Sequence, residues 1–540
     1  MGFKDTDLYR EMTPALGMVC IYASLAGAGF GFDNLYWGGF LGMPRFLEDF
    51  GRWDDTLQAY AIPTPWQSAG TGAPLAGVAF GCLLSGFVGN KLGRIKTFFL
   101  AGGIAIVGIL VQVTSFKNFW QLMAGRIINA LSMGVICNVV PTYQGEIAPA
   151  RIRGAMVNFY QFWQLVGALM ATTANWGFQY RDDQWSYRTT LILQFIIPIV
   201  LISAGLVLPE SPRWLVEKGR VEQARKVLTL LRGKKAAPAI IEEELELLIK
   251  ADAEQREFHA ATSWLDCFRG SNLRRTMIGA GVQSLQQAQG SSFISNYAIT
   301  FMQAIGIKQN HMEMNVLFSF VNTMGSTLAF YFVDKFGRRK CLFGGAIVLG
   351  SCMYTVAGVV VGAPGNTAAM KGVLAALFVW NFFQSFAWSS CVWITTAEVS
   401  TLQLREKTMT VSTFTGFTVS VIVSFVAPYI QDAGYGNLQG KIGFLWGSFS
   451  VMSALWVYFF LPELKGRSLE ELDELFEKRV GVFAFGKYEA TGYGARLTKV
   501  EDLIAHGEVM EGVDVGTDAD TSGRSSEGEK GAAGVKALET

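Results

Sequence analysis

Apolar stretches of about twenty residues, separated by short polar breaks, recur twelve times along this chain. Each is long enough to cross a bilayer core of about 30 Å as a helix. They run roughly over 15–38, 66–89, 97–116, 120–144, 154–177 and 189–208, then over 276–304, 313–333, 341–362, 372–397, 408–430 and 441–461. The interval from Glu210 to about Arg275 is polar instead, with Val221, Ala224, Val227, Leu228, Ile241, Leu245 and Leu248 at helical spacing. That pattern predicts amphipathic helices on a membrane surface. After Phe476 apolar residues thin out, and 516–540 is dominated by Gly, Ser, Thr, Asp and Glu, too polar to bury a core. The expected fold is an all-α membrane protein: an N-terminal segment 1–14, six spans over 15–208, a helical linker 209–275, six spans over 276–461, and a tail 462–540, disordered after about 485.

Basic residues set the expected orientation. Lys91, Arg94 and Lys96 fall between spans two and three, Arg151 and Arg153 between four and five, and Lys335, Arg338, Arg339 and Lys340 between eight and nine. Short basic loops stay in the cytoplasm, so both termini and the linker are expected there. No cleavable leader is expected before the first span, since Gly2 to Met12 is polar and mixed in charge.

The two sets of six spans are related. Gly89-Asn90-Lys91-Leu92-Gly93-Arg94-Ile95-Lys96 returns 244 residues later as Val333-Asp334-Lys335-Phe336-Gly337-Arg338-Arg339-Lys340. Glu146 precedes Arg153 by seven residues, as Glu398 precedes Arg405, and Pro209-Glu210 is matched by Pro462-Glu463. Three paired landmarks in one order make the chain two copies of a six-helix unit, and such repeats place a substrate between the copies near the membrane midplane.

Composition narrows the chemistry. Half of the 540 residues are hydrophobic and only 16% are charged, too apolar for a soluble chain of this size. No basic, aromatic-rich surface for nucleic acid, no phosphate-binding loop and no nucleophile with a base is legible, so neither an enzyme nor a nucleotide-driven pump is expected. The seven cysteines lack metal-ligand or paired spacing, and no cofactor is expected.

The ordered motifs resemble the sugar porter family of the major facilitator superfamily over about 15–480. They are Pro141-Thr-Tyr-Gln-Gly-Glu146 with Arg153-Gly154, Pro209-Glu-Ser-Pro-Arg-Trp-Leu215, Gln286-Gln287 with Gly290, Asp334 to Arg339, and Pro462-Glu463 with Lys465-Gly466. Residues Gly31-Phe-Asp-Asn-Leu-Tyr-Trp-Gly-Gly39 look most like fungal monosaccharide carriers. The resemblance implies two pseudo-symmetric six-helix bundles, a monosaccharide substrate with glucose as the default, a monomeric functional unit in the plasma membrane, and either symport with a proton as co-substrate or uniport without one. A sugar sensor of the same fold is the alternative.

A sugar needs amide, indole and aromatic groups around its hydroxyls and ring. The resemblance assigns that role to Gln161, Gln286, Gln287, Asn322 and Trp393, with Ser292 standing where the family has Asn and with Phe293 and Tyr297 as gate aromatics. Val392 and the Gly416-Phe417 pair also depart from family residues, which leaves the sugar open. Asp33 and Arg126 sit at membrane depth and are expected to pair and to carry proton coupling; an ionisable group there costs about 2.5–3.5 kcal/mol on insertion scales. Arg94, Glu146, Arg153, Glu210, Asp334, Arg338, Glu398, Arg405 and Glu463 are expected to form a cytoplasmic latch between the halves, weaker in the first half because Asn90 replaces the family's Asp.

Overall fold

The structure is a computed structural model; it describes residues 13–488 except 56–57, 149–152, 234–237, 262, 305–309, 364–365, 402–403, 433, 466, 468 and 487. Residues 1–12 and 489–540, the expected cytoplasmic N-terminus and disordered tail, lie outside the described residues. Twelve long rods follow the sequence expectation to within a few residues at each end. We label them α1 (Pro14–Phe40), α2 (Thr64–Leu92), α3 (Arg94–Val113), α4 (Phe119–Ile147), α5 (Arg153–Phe178) and α6 (Trp185–Val207). The second six are α7 (270–304), α8 (His311–Phe336), α9 (Arg338–Gly362), α10 (Thr367–Val399), α11 (Arg405–Gln431) and α12 (Ile442–Phe460). Among the described residues, nine of these rods are long and apolar enough to cross a membrane; α5, α7 and α8, which carry Gln161, Gln286, Gln287 and Asn322, are not among the nine.

Local chemistry sets the ends. Thr13 caps α1 by accepting from the Leu16 amide, and Pro14 occupies the first turn, where its missing N–H costs nothing. Close approach of α1 and α5 depends on missing side chains. A Cβ at Gly31 would lie 1.7 Å from the Gln164 carbonyl oxygen, and one at Gly167 would lie 2.0 Å from that of Ala28. Lipid supplies no hydrophobic drive between helices, so such small-residue contact is what brings membrane helices together.

Three rods are interrupted. α6 loses its helical pattern at Gln194 and Phe195. α7 contains a wide π turn over Gln287–Ser291 in which Gly290 takes φ 92°, and α10 contains another over Gln384–Ser389. In the first half α1 packs on α5, and α4 on α2 and α3; in the second, α12 packs on α9 and α11 on α7. The halves meet through α2 with α11, α5 with α8, and α1 with α7.

Outside the bundles, the linker forms the expected amphipathic helices Pro212–Glu217, Val221–Arg232 and Pro238–Ala261. They share a small core of Trp214, Leu215, Ala224, Leu228, Ile241 and Leu245. Arg232 ties this group to the first bundle, pairing with Glu244 at 2.5 Å and donating to the Ile147 carbonyl at 3.2 Å. After α12, helix Leu469–Glu477 buries Leu472, Leu475 and Phe476, and Asp473 pairs with the buried Arg275 at the start of α7. The all-α expectation needs one small amendment: an antiparallel hairpin pairs Arg52–Asp54 with Ala59–Ala61 between α1 and α2. Below, the end of the bundles carrying it is called the hairpin end, and the opposite one the basic end.

Candidate functional site

At the basic end the sequence repeat becomes a repeat of geometry. The α2–α3 and α8–α9 joints turn on Gly93 and Gly337, with φ of 92° and 93°, a backbone that side chains rarely tolerate. Each turn seats a carboxylate against the next helix: Glu210 accepts from the Arg94 amide at 2.9 Å, and Glu463 accepts from the Arg338 amide at 2.9 Å. Arg94 forks onto Glu146 at 3.1 and 2.6 Å, and Arg338 onto Glu398 at 3.1 and 2.7 Å. These bidentate pairs are the strong kind of charged hydrogen bond. Asn90 accepts from Arg94 at 3.0 Å in place of a third carboxylate. Arg405 is half-buried with Glu398 in electrostatic reach. The side chains of Arg153 and Asp334 lie outside the described residues. The four Arg94 and Arg338 contacts that the sequence was expected to place between the halves run within each half, because each arginine starts the helix beside its own acidic partner.

Midway along the rods, polar side chains from α7, α8, α10 and α11 come together. Gln286, just before the π turn of α7, donates to the hydroxyl of Ser389, the last residue of the π turn in α10, at 3.4 Å. The Ser292 hydroxyl lies 2.7 Å from both Gln287 Oε1 and Ser420 Oγ. Asn322 donates to Asn381 Oδ1 at 3.5 Å, and Asn381 donates to the Phe318 carbonyl at 2.6 Å. Gln161, Gln287, Asn322 and Trp393 are only half-buried, whereas Gln286 and Ser292 are buried. Wide turns of this kind often mark functional sites, since they free backbone groups and re-aim side chains. Sequence reading missed Asn381, Ser389 and Ser420; a polar side chain within an apolar span was the available signal.

Phe293, expected as a gate aromatic, is 1% exposed and packs into the second half, 5.8 Å from the Trp446 ring and 5.4 Å from that of Phe301. The π turn accounts for this, because its extra residue rotates the following segment and carries Phe293 toward α12.

Toward the hairpin end the halves touch. Tyr297 is buried, and its hydroxyl donates to the Ser424 carbonyl at 3.1 Å and toward that of Gln67 at 3.4 Å, so α7 bridges α11 and α2. Thr64 donates to Asp432 at 2.5 Å, and Asn310 donates to the Tyr180 hydroxyl at 2.8 Å. A Cβ on Gly38 would lie 2.8 Å from the Asn296 carbonyl oxygen, which shows how tightly α1 and α7 meet.

Asp33 and Arg126 are both buried, at 7% and 3% exposure. No direct ion pair between them occurs within 4.0 Å, contrary to the sequence expectation. Asp33 instead accepts from Asn129 Nδ2 at 2.7 Å. Arg126 donates to the Gly70 carbonyl on α2 and lies over the Tyr36 and Trp37 rings, 5.2 and 4.3 Å from their centroids. The aromatic faces and the carbonyl contact the guanidinium in place of the carboxylate, while Arg126 Nε is buried with no hydrogen-bond partner among the described residues. Among the described residues no group of His, Cys, Asp or Glu could hold a metal ion.

Comparison with known proteins agrees with this architecture. The family described as "Sugar (and other) transporter" matches residues 19–476. The major facilitator-type transporter ecdD of Aspergillus rugulosus is 33% identical over 86% of this chain and 87% of its own. The low-affinity glucose transporter HXT3 of Saccharomyces cerevisiae is 29% identical over 86% and 82%. The solved structure of the proton:xylose symporter XylE bound to 6-bromo-6-deoxy-D-glucose superimposes with a TM-score of 0.69 at 22% identity, covering 86% of this chain and 99% of XylE. This chain, a non-enzymatic integral membrane protein, belongs to the sugar porter family of the major facilitator superfamily.

Proposed function

We propose that this protein carries a monosaccharide, glucose or a related hexose, across the plasma membrane by alternating access, and that a proton accompanies it. The observation that carries the substrate reading is the set of half-buried amides and indole, Gln161, Gln287, Asn322 and Trp393, carried by α5, α7, α8 and α10, of which α7 and α10 are interrupted by wide turns. Such groups both donate to and accept from hydroxyls, and Trp offers a flat face to a sugar ring. The relation to HXT3 favours a hexose. Ser292 and Gly416 in place of amides remove hydrogen bonds worth about 0.5–1.5 kcal/mol each, which favours modest affinity.

The basic loops support reading the basic end as the cytoplasmic one. On that reading Tyr297, Thr64 and Asp432 close the outer side, and in the opposite state the arginine–glutamate clusters would meet across the halves as an interdomain latch. Asp33 supports proton coupling. A carboxylate at membrane depth with no cation in contact is costly to keep ionised, and proton uptake removes that cost.

Expression in a cell stripped of its own sugar carriers, with labelled hexoses and pentoses in competition, tests the proposal. Saturable uptake of one hexose supports transport, and its absence at normal surface expression would favour the sensing alternative. Asp33→Asn is then assayed at two external pH values; accumulation that stays intact and indifferent to pH ends the symport reading.

A further inference from the structure

Asn129 and Gln194 have no part in the reading above, yet they form a short chain of side-chain amides leading away from Asp33. Asn129 Nδ2 donates to the Asp33 carboxylate at 2.7 Å and reaches Gln194 Oε1 at 3.4 Å. Asn129 is 1% exposed and Gln194 5%. Their remaining polar atoms, Asn129 Oδ1 and Gln194 Nε2, are buried with no hydrogen-bond partner among the described residues. Gln194 sits where the helical pattern of α6 fails. The charged or titratable groups around Asp33 are Arg126 on α4 and Tyr36 on α1, and both have other hydrogen-bond partners: Arg126 holds Gly70, and the Tyr36 hydroxyl donates to Gln112 at 2.8 Å.

An ionised carboxylate only accepts hydrogen bonds, so it requires the N–H face of Asn129. A protonated carboxyl donates, and then the oxygen face serves it better. Turning an amide over exchanges those faces at almost no change in shape. From these contacts we infer that Asn129 is the positioning residue that responds to Asp33 protonation. When the proton arrives, the Asn129 amide turns so that Oδ1 accepts from the Asp33 carboxylic acid, and Gln194 turns with it so that Nε2 donates to the same oxygen. The orphaned Oδ1 and Nε2 are the atoms that this reversed chain uses. The proton's arrival is thereby passed from α1 through α4 to the break in α6, while Arg126 keeps its hold on α2. No bond other than the transferred O–H is made or broken. The inference rests on the proton-coupled reading of Asp33.

Asn129→Val and Asn129→Thr test it, as nearly isosteric side chains without and with a hydroxyl that both donates and accepts. Each is purified, reconstituted in liposomes and assayed for sugar uptake against external pH, with KM and kcat taken separately. Loss of the donor disfavours the ionised carboxylate, so Asn129→Val should move the midpoint of the uptake profile to higher pH by about one unit, while Asn129→Thr should restore it. Sugar KM at the acid plateau should stay within about twofold, since Asn129 touches no proposed sugar ligand. Gln194→Leu gives a second reading if Asn129→Val fails to fold: its midpoint should move the same way by a smaller amount. A wild-type profile that depends on pH and is flattened by Asp33→Asn, combined with unmoved midpoints in Asn129→Val and Gln194→Leu, overturns the inference alone. A wild-type profile flat in pH and equal to that of Asp33→Asn removes the proton coupling itself, and the inference with it.

Discussion

Thr64, the first residue of α2, donates a 2.5 Å hydrogen bond to Asp432, the residue that caps α11, and this contact joins the two halves at the hairpin end. Alternating access must break it whenever that end opens. A Thr64→Cys, Asp432→Cys protein should therefore form a disulfide under mild oxidation and lose uptake, with recovery on reduction. Uptake that persists in fully cross-linked protein would show that this end does not need to part.

The same contact responds to acid. Burial pushes the Asp432 carboxyl above the usual carboxylate range, opposed by its hydrogen bond from Thr64. A carboxyl that is harder to ionise in the closed state than in water favours closure while it is protonated. That contribution is complete below the ordinary carboxylate pKa and disappears as pH rises through the raised value. Spin labels at the exposed Tyr60 and Tyr435, one on each half, should report a larger closed fraction as pH falls from about 7 to about 4. The trend should vanish in Asp432→Asn.

Gly31→Leu should prevent assembly of the first bundle. Its first added carbon would lie 1.7 Å from the Gln164 carbonyl oxygen, and backbone on a packed helix cannot yield cheaply. Overpacking usually costs about 1–3 kcal/mol; a clash with main chain should exceed that, and be read as loss of monodisperse protein in detergent. The matched control is Gly103→Ala, at a position where a Cβ meets nothing within 4 Å, and it should be silent.

Glu146→Gln should lower the thermal midpoint of the purified protein. The Arg94 and Glu146 side chains are only 9% and 13% exposed, and removing one charge of a buried pair typically costs about 3–5 kcal/mol. Partial exposure places this pair at or below the low end. Glu398→Gln, its counterpart against Arg338, should behave alike, and a loss in only one of the two would show that the halves do not share this fastening.

Asn322→Ala should raise KM for the transported sugar about tenfold with a smaller change in kcat, the pattern of a lost ground-state contact. Equal KM in variant and wild type would place Asn322 in the α8–α10 seam with Asn381 and outside the sugar site.

Much of the architecture was legible because lipid imposes long apolar runs and because the repeat of Gly93-Arg94 in Gly337-Arg338 could be counted directly. The linker helices were legible too, since Leu228 and Leu245 keep helical phase with their neighbours. What escaped depends on contacts between distant segments. The wide turn of α7 is invisible to a period of 3.6, and beyond it Phe293 sits against the Trp446 ring of α12. Asp33 and Arg126 were paired by charge, whereas in the folded chain the neutral amide of Asn129 and two aromatic rings took those places.

The wide turns of α7 and α10 each hold one residue more than an ideal helix would. Because a helix advances about 100° per residue, deleting a single residue from Gln287–Ser291 would leave the chain continuous but twist everything beyond it by more than a quarter revolution, swinging Tyr297 away from Ser424 and Gln67. The surplus residue thus works as a phase setting, fixing which way the door faces relative to the chamber behind it, and indels there should be far less tolerated than substitutions.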